Sequence, residues 1–194
     1  MIKKILILIL TILFLNILVV YAQDIDIGSQ SFNRDNDISY PRTIINANNP
    51  ANASGTITEV KMLSNNNMSD VIVFTCYLVS GTTFTSRDYE YIGNVTGGTT
   101  QTFQIEINVE QNDYIGISYK SGNMTSRTSG TGNYYSASGV YVDLPFSNYE
   151  FPSLTANRNL NLGGTGFIPV GIKWNTVTIN KFNTIEIGKW NTME

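Results

Sequence analysis

The sequence predicts an all-β protein, an antiparallel β-sandwich or jelly roll followed by a short β-repeat tail. Apolar residues alternate with period two or form short runs between turn residues, and beyond residue 22 no stretch shows helical periodicity. Turn clusters recur every 10 to 15 residues or so, a spacing typical of sandwiches and jelly rolls. Charged residues make up 14% of the chain, whereas Asn, Thr, Ser, Gly and Tyr are abundant, as in extracellular β-proteins.

The first 22 residues have the pattern of a secretory signal peptide. Lys3 and Lys4 form a positive n-region, residues 5–20 are largely apolar, and small residues precede a cleavage site after Ala22. We expect export to a secreted or cell-surface location, with Gln23 as the first mature residue. An uncleaved anchor is the alternative, because this apolar run approaches the roughly 20 residues that span a bilayer. No second such segment follows, so cleavage would leave no stable membrane span.

The clearest predicted strand covers residues 102–109, where one face is apolar and the other polar. After a polar turn, residues 114–119 are predicted to return as the second strand of a hairpin. Residues 71–79 are apolar on both faces except at Thr75, which is typical of a central strand covered on both sides. Further strands are predicted at 55–63, 87–92, 139–144 and 167–172.

Two polar or irregular stretches interrupt these strands. Residues 121–136 offer almost nothing to bury and are predicted to form a long loop or an exposed β excursion. Residues 145–170, rich in Pro and Gly, are predicted to be an irregular connection that could contain a final sandwich strand. The sandwich domain is therefore expected over residues 23–144.

The C-terminal tail, residues 171–194, is an internal repeat. Three eight-residue units (GIKWNTVT, INKFNTIE and IGKWNTME) align without gaps and share Lys-aromatic-Asn-Thr. The even period keeps Trp174, Phe182 and Trp190 on equivalent faces wherever the backbone is extended. A single unit cannot bury its own aromatic ring, so we expect the tail to mediate association. A homo-oligomer, by analogy a trimer, is the expected assembly.

Composition excludes several function classes. The chain has no histidine and one cysteine, which rules out His-based triads, His-rich zinc sites and an internal disulfide framework. Removal of Lys3 and Lys4 leaves ten basic residues against 15 acidic ones, a net charge near −5. Because the arginines are scattered singly, we expect no nucleic-acid partner.

Residues 76–122 contain four recognisable motifs: Tyr77-Leu78-Val79-Ser80-Gly81, Arg87-Asp88-Tyr89, Gly93-Asn94-Val95-Thr96-Gly97-Gly98 and Asp113-Tyr114-Ile115-Gly116-Ile117. Through these motifs the segment resembles β-sandwich modules of phage and prophage virion proteins. Several such proteins end in short repeats similar to Lys-aromatic-Asn-Thr. The resemblance covers about half the mature chain and implies an exposed structural or host-contacting module rather than an enzyme. The signal peptide departs from that pattern and favours a cell-surface or secreted relative.

Four tyrosines near the polar stretches are the candidate ligand contacts: Tyr134, Tyr135, Tyr141 and Tyr149. Aromatic faces flanked by Asn and Ser could stack on the rings of a surface glycan. The alternative is that some of these rings belong to the core and others to a rim or an interface. Cys76 shares strand parity with Ile72 and Phe74, so it is predicted to be a buried core residue.

Acidic residues offer weaker candidates. Asn33, Asp35 and Asp37 alternate like the start of a calcium loop, but Ile38 and Ile44 replace the glycine and glutamate of an EF-hand. A looser calcium site, with Asp24 or Asp26, remains an alternative to a solvated turn; otherwise we predict no metal and no cofactor. Asp88 with Glu90, or Glu106, could act as glycosidase carboxylates, although solvated surface acids explain them equally.

These observations favour a secreted, non-enzymatic structural or adhesive module. A carbohydrate-binding domain is the alternative, and a jelly-roll glycosidase is the third reading.

Overall fold

The computed structural model describes residues 24–29, 36–39, 42–128 and 132–168. The predicted signal peptide and the repeat tail, with Trp174, Phe182 and Trp190, lie outside the described residues. Within the described ranges there is no helix of the length and apolarity that crossing a membrane requires. All regular structure in these ranges is β-strand, which confirms the all-β antiparallel prediction.

Fourteen strands are formed by the described residues: β1 (Asp24–Gly28), β2 (Asn36–Ser39), β3 (Arg42–Asn46), β4 (Gly55–Leu63), β5 (Met68–Ser80), β6 (Thr83–Val95), β7 (Thr100–Val109), β8 (Tyr114–Tyr119), β9 (Asn123–Arg127), β10 (Tyr134–Ser138), β11 (Tyr149–Glu150), β12 (Ser153–Thr155), β13 (Asn159–Leu160) and β14 (Leu162–Phe167). They make a four-stranded sheet in the order β1-β14-β4-β7 and a seven-stranded sheet in the order β11-β6-β5-β8-β3-β10-β12. A small third sheet has the order β13-β9-β2. All pairs are antiparallel.

The main core lies between the four-stranded and seven-stranded sheets. It takes buried side chains from both, among them Ile57 and Ile107 from one sheet and Val73 and Ile117 from the other. This shared core makes the arrangement sandwich-like, while the finer jelly-roll assignment stays a prediction.

A second core covers the outer face of the seven-stranded sheet. In β3, Ile44 belongs to the main core, whereas the next residue, Ile45, belongs to the second. The second core is rich in aromatic rings, and residues 142–151 fold across the sheet to close it with Val142, Phe146 and Phe151. The seven-stranded sheet is therefore buried on both faces over part of its area, which explains why β5 reads as a continuous apolar run.

The predicted register of residues 102–109 is confirmed, because Ile105, Ile107 and Val109 are buried and Glu106 is exposed. The predicted hairpin with residues 114–119 is wrong. Strand β7 pairs with β4 in one sheet, whereas β8 pairs with β3 and β5 in the other. The polar turn at residues 110–113 thus carries the chain from one sheet to the other.

The predicted central position of residues 71–79 is confirmed, since β5 lies between β6 and β8. Cys76 is fully buried, as predicted. Cover on both faces is lost at the end of the strand, where Tyr77, Leu78 and Val79 are 39%, 41% and 48% exposed. This exposed end contributes to the candidate site described below.

The expected loop or exposed excursion at residues 121–136 is wrong, because the stretch contains β9 and the start of β10. Thr125 and Ser126 of β9 are fully buried. The hydroxyl of Thr125 donates to the Leu63 carbonyl oxygen at 2.6 Å and accepts from the Asn161 side chain at 2.7 Å. These bonds offset the cost of burying polar groups, so a polar sequence can form an interior strand.

Two further expectations differ from the structure. Residues 139–144, expected as a strand, form none, and this segment instead supplies Val142 and Leu144 to the second core. Residues 145–168, expected as an irregular connection that could contain a final sandwich strand, contain four strands. The last of them, β14, lies between β1 and β4 in the four-stranded sheet, so the sandwich extends past the expected boundary at residue 144. The glycines of β14 permit this, since a Cβ on Gly166 would lie 1.9 Å from the Thr56 carbonyl oxygen. Of the strand expected at 167–172, only the first two residues are described.

The register predicts unequal effects for neighbouring substitutions in β7. Ile107→Asp buries a carboxylate without a partner and should lower the free energy of unfolding by several kcal/mol, whereas Glu106→Ala should change it by about 0.5 kcal/mol or less. Urea denaturation of both variants measures this difference. Equal effects would contradict the register.

Candidate functional site

One candidate site is an open cleft at the end of the sandwich where the chain passes from β7 to β8. We call it the crossing cleft. Its volume is about 580 Å³, and its lining residues are Tyr77, Leu78, Arg87, Glu110, Gln111, Asn112, Asp113 and Tyr114. They come from β5, β6 and the first residue of β8, all in the seven-stranded sheet, and from the 110–113 turn that connects this sheet to β7.

Arg87 reaches the cleft because of a β-bulge. Thr75 pairs with Asp88 and Cys76 pairs with Ser86, which leaves Arg87 as the extra residue of β6. A bulge redirects the side chain of its extra residue and is frequent beside functional sites. Arg87 consequently points toward the 110–113 turn.

The Arg87 guanidinium organises the floor of the cleft. Its Nε donates to Oδ2 of Asp113, Nη2 donates to Oδ1 of Asp113 at 3.1 Å, and Nη1 lies 2.9 Å from Oε1 of Glu110. Its carbon Cζ lies 5.1 Å from the centroid of the Tyr77 ring. The hydrogen bonds to Asp113 raise the pKa of Arg87, and burial opposes that shift. Arg87 therefore carries a permanent charge that is fixed on three sides.

Hydrogen bonds from backbone N–H groups of the 110–113 turn hold the turn in place. Buried Asp113 accepts the N–H of Glu110 at 2.8 Å, and Asn112, with φ of 72°, donates its N–H to the Ala51 carbonyl oxygen at 2.9 Å. The N–H of Gln111 donates to Oγ of Ser54 at 2.9 Å. The cleft is thus preorganised, which lowers the entropic cost of binding a ligand.

The groups that the cleft presents to solvent are an aromatic ring, a carboxylate and side-chain amides. Tyr77 is 39% exposed, and the Glu110 side chain is 64% exposed. Gln111 and Asn112 are also exposed. This mixture suits a polar ligand with hydroxyl or amide groups, held by a ring face and several hydrogen bonds.

The structure does not bring the four predicted tyrosines together at this site. Tyr134 is 4% exposed in the main core, which removes it as a ligand contact. Tyr135 and Tyr149 pack against the second core, with ring centroids 4.9 Å from Phe84 and 5.2 Å from Phe151 respectively. Tyr141 is not among the residues that line the cleft, and its ring centroid lies 4.9 Å from Nζ of Lys120.

Asp88 and Glu90, the candidate glycosidase pair, bind the backbone of a neighbouring strand. Oδ2 of Asp88 accepts the backbone N–H and the side-chain amide of Asn108, both at 2.8 Å, and Oε2 of Glu90 accepts the N–H of Glu106 at 2.7 Å. Strand β7 is the edge of the four-stranded sheet. The two carboxylates therefore satisfy donors that an edge strand would otherwise leave free.

The looser calcium site gains no support. Asn33 and Asp35 lie outside the described residues, and Oδ2 of Asp37 accepts from the Asn65 amide at 2.5 Å. Oδ2 of Asp26 accepts from the Asn49 amide at 2.9 Å. Across the described ranges, no group of three acidic or cysteine side chains is placed to hold a metal ion.

Cys76 lies in the second core rather than in the cleft. Burial raises the pKa of its thiol well above the usual value, and the nearby Asp113 charge adds to that rise. A thiol held protonated in this way is a poor nucleophile.

Tyr77, Arg87, Glu110 and Gln111 were not predicted from the sequence. The sequence predicts the 110–113 turn as the tip of a hairpin, and the bulge at Arg87 has no local sequence marker. One signal was present: Tyr77 shares strand parity with Thr75, the single polar residue of the apolar run, and both lie toward the crossing.

Comparison with known proteins adds no assignment. No protein-family model matches the chain, and no curated protein has significant sequence similarity to it.

Removal of the Asp88 and Glu90 carboxylates should weaken the sandwich. The double variant D88A/E90A leaves two β7 N–H groups without their charged acceptors and should lower the free energy of unfolding by about 1–3 kcal/mol. Guanidinium denaturation measures this loss, and light scattering should also detect new edge-to-edge association. The matched variant D88N/E90Q keeps oxygen acceptors and should lose less. Unchanged stability of D88A/E90A would show that the two carboxylates do not support the edge.

Proposed function

We propose that the protein is a non-enzymatic, surface-exposed module that adheres to a partner surface through the crossing cleft. The observation that carries this proposal is a rigid, open and polar cleft at the point where the chain crosses between the two sheets. Its floor charge, Arg87, is already bound by Asp113 and Glu110. A guanidinium group that is already held by two carboxylates favours ligand recognition over proton transfer.

The positions of the carboxylates also favour a non-enzymatic role. Hydrolysis of a glycosidic bond requires two carboxyl groups that face the same substrate, one to donate a proton and one to act as base or nucleophile. Asp88 and Glu90 instead accept hydrogen bonds from β7, and Asp113 is buried beneath Arg87. Glu110 is then the one exposed acidic residue among those that line the cleft, whereas hydrolysis requires a pair.

A carbohydrate-binding domain is the second candidate function. The Tyr77 ring favours it, because this ring lines the same cleft as the Glu110 carboxylate and the Gln111 and Asn112 amides. These are groups that stack on sugar rings and hydrogen-bond to hydroxyl groups.

Association through the repeat tail completes the proposal. If Trp174, Phe182 and Trp190 join several copies, each cleft gains avidity from its neighbours without any new contact. Light scattering of the mature chain, residues 23–194, tests this step, and a monomeric mass would contradict it.

An adhesion assay tests the proposed function. Beads coated with the mature chain are added to plates that carry mucin, yeast mannan, peptidoglycan or fibronectin, and retention is counted under flow. We expect retention on at least one surface and its loss in the variant Y77A/Q111A, which removes the exposed ring and an amide. Leu154→Ala, at an exposed site on β12, is the matched control and should behave like the unmodified protein.

Several results would contradict this proposal. They are the absence of retention on every plate, equal retention of Y77A/Q111A, and release of reducing sugar from the polysaccharides. Competition by soluble mannan or mucin glycans would favour the carbohydrate-binding candidate over protein adhesion.

A further inference from the structure

The outer face of the seven-stranded sheet carries a second exposed aromatic surface, separate from the crossing cleft. Tyr89 and Tyr91 of β6 are 42% and 60% exposed. They pair with Phe74 and Ile72 of β5 respectively, so their rings lie on the face opposite to Asp88 and Glu90. One residue, Glu90, lies between them in the strand, which spaces their Cα atoms by about 7 Å.

Polar contacts fix one end of this surface. The hydroxyl of Tyr91 donates to Oδ1 of Asp70 at 3.2 Å, and Oδ2 of Asp70 lies 3.9 Å from Nζ of Lys120. The same ammonium group lies 4.9 Å from the centroid of the Tyr141 ring. Asp70 sits in a β5 bulge with φ of 51°, which places its carboxylate between the two neighbours. We call Tyr89, Tyr91, Asp70, Lys120 and Tyr141 the tyrosine platform.

We propose that the tyrosine platform is a binding site for a neutral oligosaccharide, whose sugar rings stack on Tyr89 and Tyr91. The rings are flat, exposed and spaced along one strand, and the Asp70 carboxylate and Lys120 ammonium at their end can accept from and donate to sugar hydroxyl groups. The opposite charges of Asp70 and Lys120 offset each other. The charge of Asp143, which adds to the rise that burial causes in the pKa of Tyr141, leaves the platform without a positive excess that would attract an anionic ligand.

The size of the platform favours a small ligand over a protein. Two tyrosines with these exposures offer on the order of 200 Å², whereas each partner in a standard protein interface contributes about 800 Å². The contacts of Tyr91 with Asp70, and of Lys120 with Tyr141, hold one end of the platform in place before binding. An end that is already ordered loses little entropy when a ligand binds, so a small contact area suffices for weak, specific recognition.

This inference is independent of the proposed function, because its residues do not line the crossing cleft. Titration of the ¹⁵N-labelled mature chain with cellopentaose, mannopentaose and N-acetylchitotetraose tests it by NMR. We expect at least one probe to shift the amide signals of Tyr89, Tyr91 and Asp70. The variant Y89A/Y91A should bind that probe about ten-fold more weakly or worse, through loss of two stacked rings.

Two further variants separate the sites and the chemistry. In the cleft variant Y77A/Q111A, the probe should still shift the amide signals of Tyr89, Tyr91 and Asp70, even where any binding of the probe in the cleft is lost. Tyr91→Phe keeps the ring and loses the hydroxyl contact with Asp70, so it should retain most of the affinity. Together these results would identify stacking on the platform as the source of binding.

The proposal is overturned if none of the three oligosaccharides binds, or if Y89A/Y91A binds unchanged. Signal shifts confined to the crossing cleft would also overturn it, while supporting the carbohydrate-binding candidate for the cleft. A change of oligomeric mass in Y89A/Y91A, without any loss of sugar binding, would identify the platform as a contact between copies and overturn it as well.

Discussion

The hydrogen bonds between the β5–β6 ribbon and the edge of β7 are the contacts on which the rest of the structure depends. The Thr75 hydroxyl donates to the Asn108 carbonyl oxygen at 2.6 Å, while Asp88 and Glu90 accept the N–H groups of Asn108 and Glu106. Side chains of one sheet thereby satisfy the backbone of the other, and the sandwich is closed along this side without a shared strand. Each charged acceptor contributes about 1.5–3 kcal/mol when it is shielded from water, and less at the surface.

These contacts also position the crossing cleft. The carboxylate of Asp88, in β6, binds the backbone of Asn108 in β7. The bulge then places the preceding residue, Arg87, next to the turn that follows β7. Arg87 meets Asp113 there, just before β8 enters the seven-stranded sheet. The same short segment of β6 thus closes the sandwich and builds the floor of the cleft, which links the stability of the fold to the geometry of its candidate site.

Local periodicity was enough to predict the fold class and several strands. Gly55–Leu63 was predicted with its observed bounds, and the alternation around Ile107 gave the correct buried face, because solvent on one side leaves a period-two pattern. Strand pairing was not predictable in the same way. The partner of β7 depends on non-local contacts, and a polar four-residue turn is as compatible with a crossing between sheets as with a hairpin.

Burial of polar segments was the other source of error. Thr125 lies on an interior strand because the Leu63 carbonyl and the Asn161 amide complete the hydrogen bonds of its hydroxyl group, and those partners are distant in sequence. The polar neighbours of Tyr134 in the sequence predict an exposed ligand contact, whereas its ring lies in the main core. Bulges had a similar effect at the candidate sites, since the orientation of Arg87 and Asp70 follows from an extra residue in one strand and not from sequence parity.

Native-state hydrogen exchange at the amides of Glu106 and Asn108 tests the central claim most directly. If the carboxylates of Glu90 and Asp88 bind these N–H groups as described, both amides should be protected to a degree comparable with amides bonded inside the sheets, although β7 is an edge strand. Exchange of both at the rate of an unstructured peptide, with the rest of β7 protected, would contradict closure of the sandwich by these side chains.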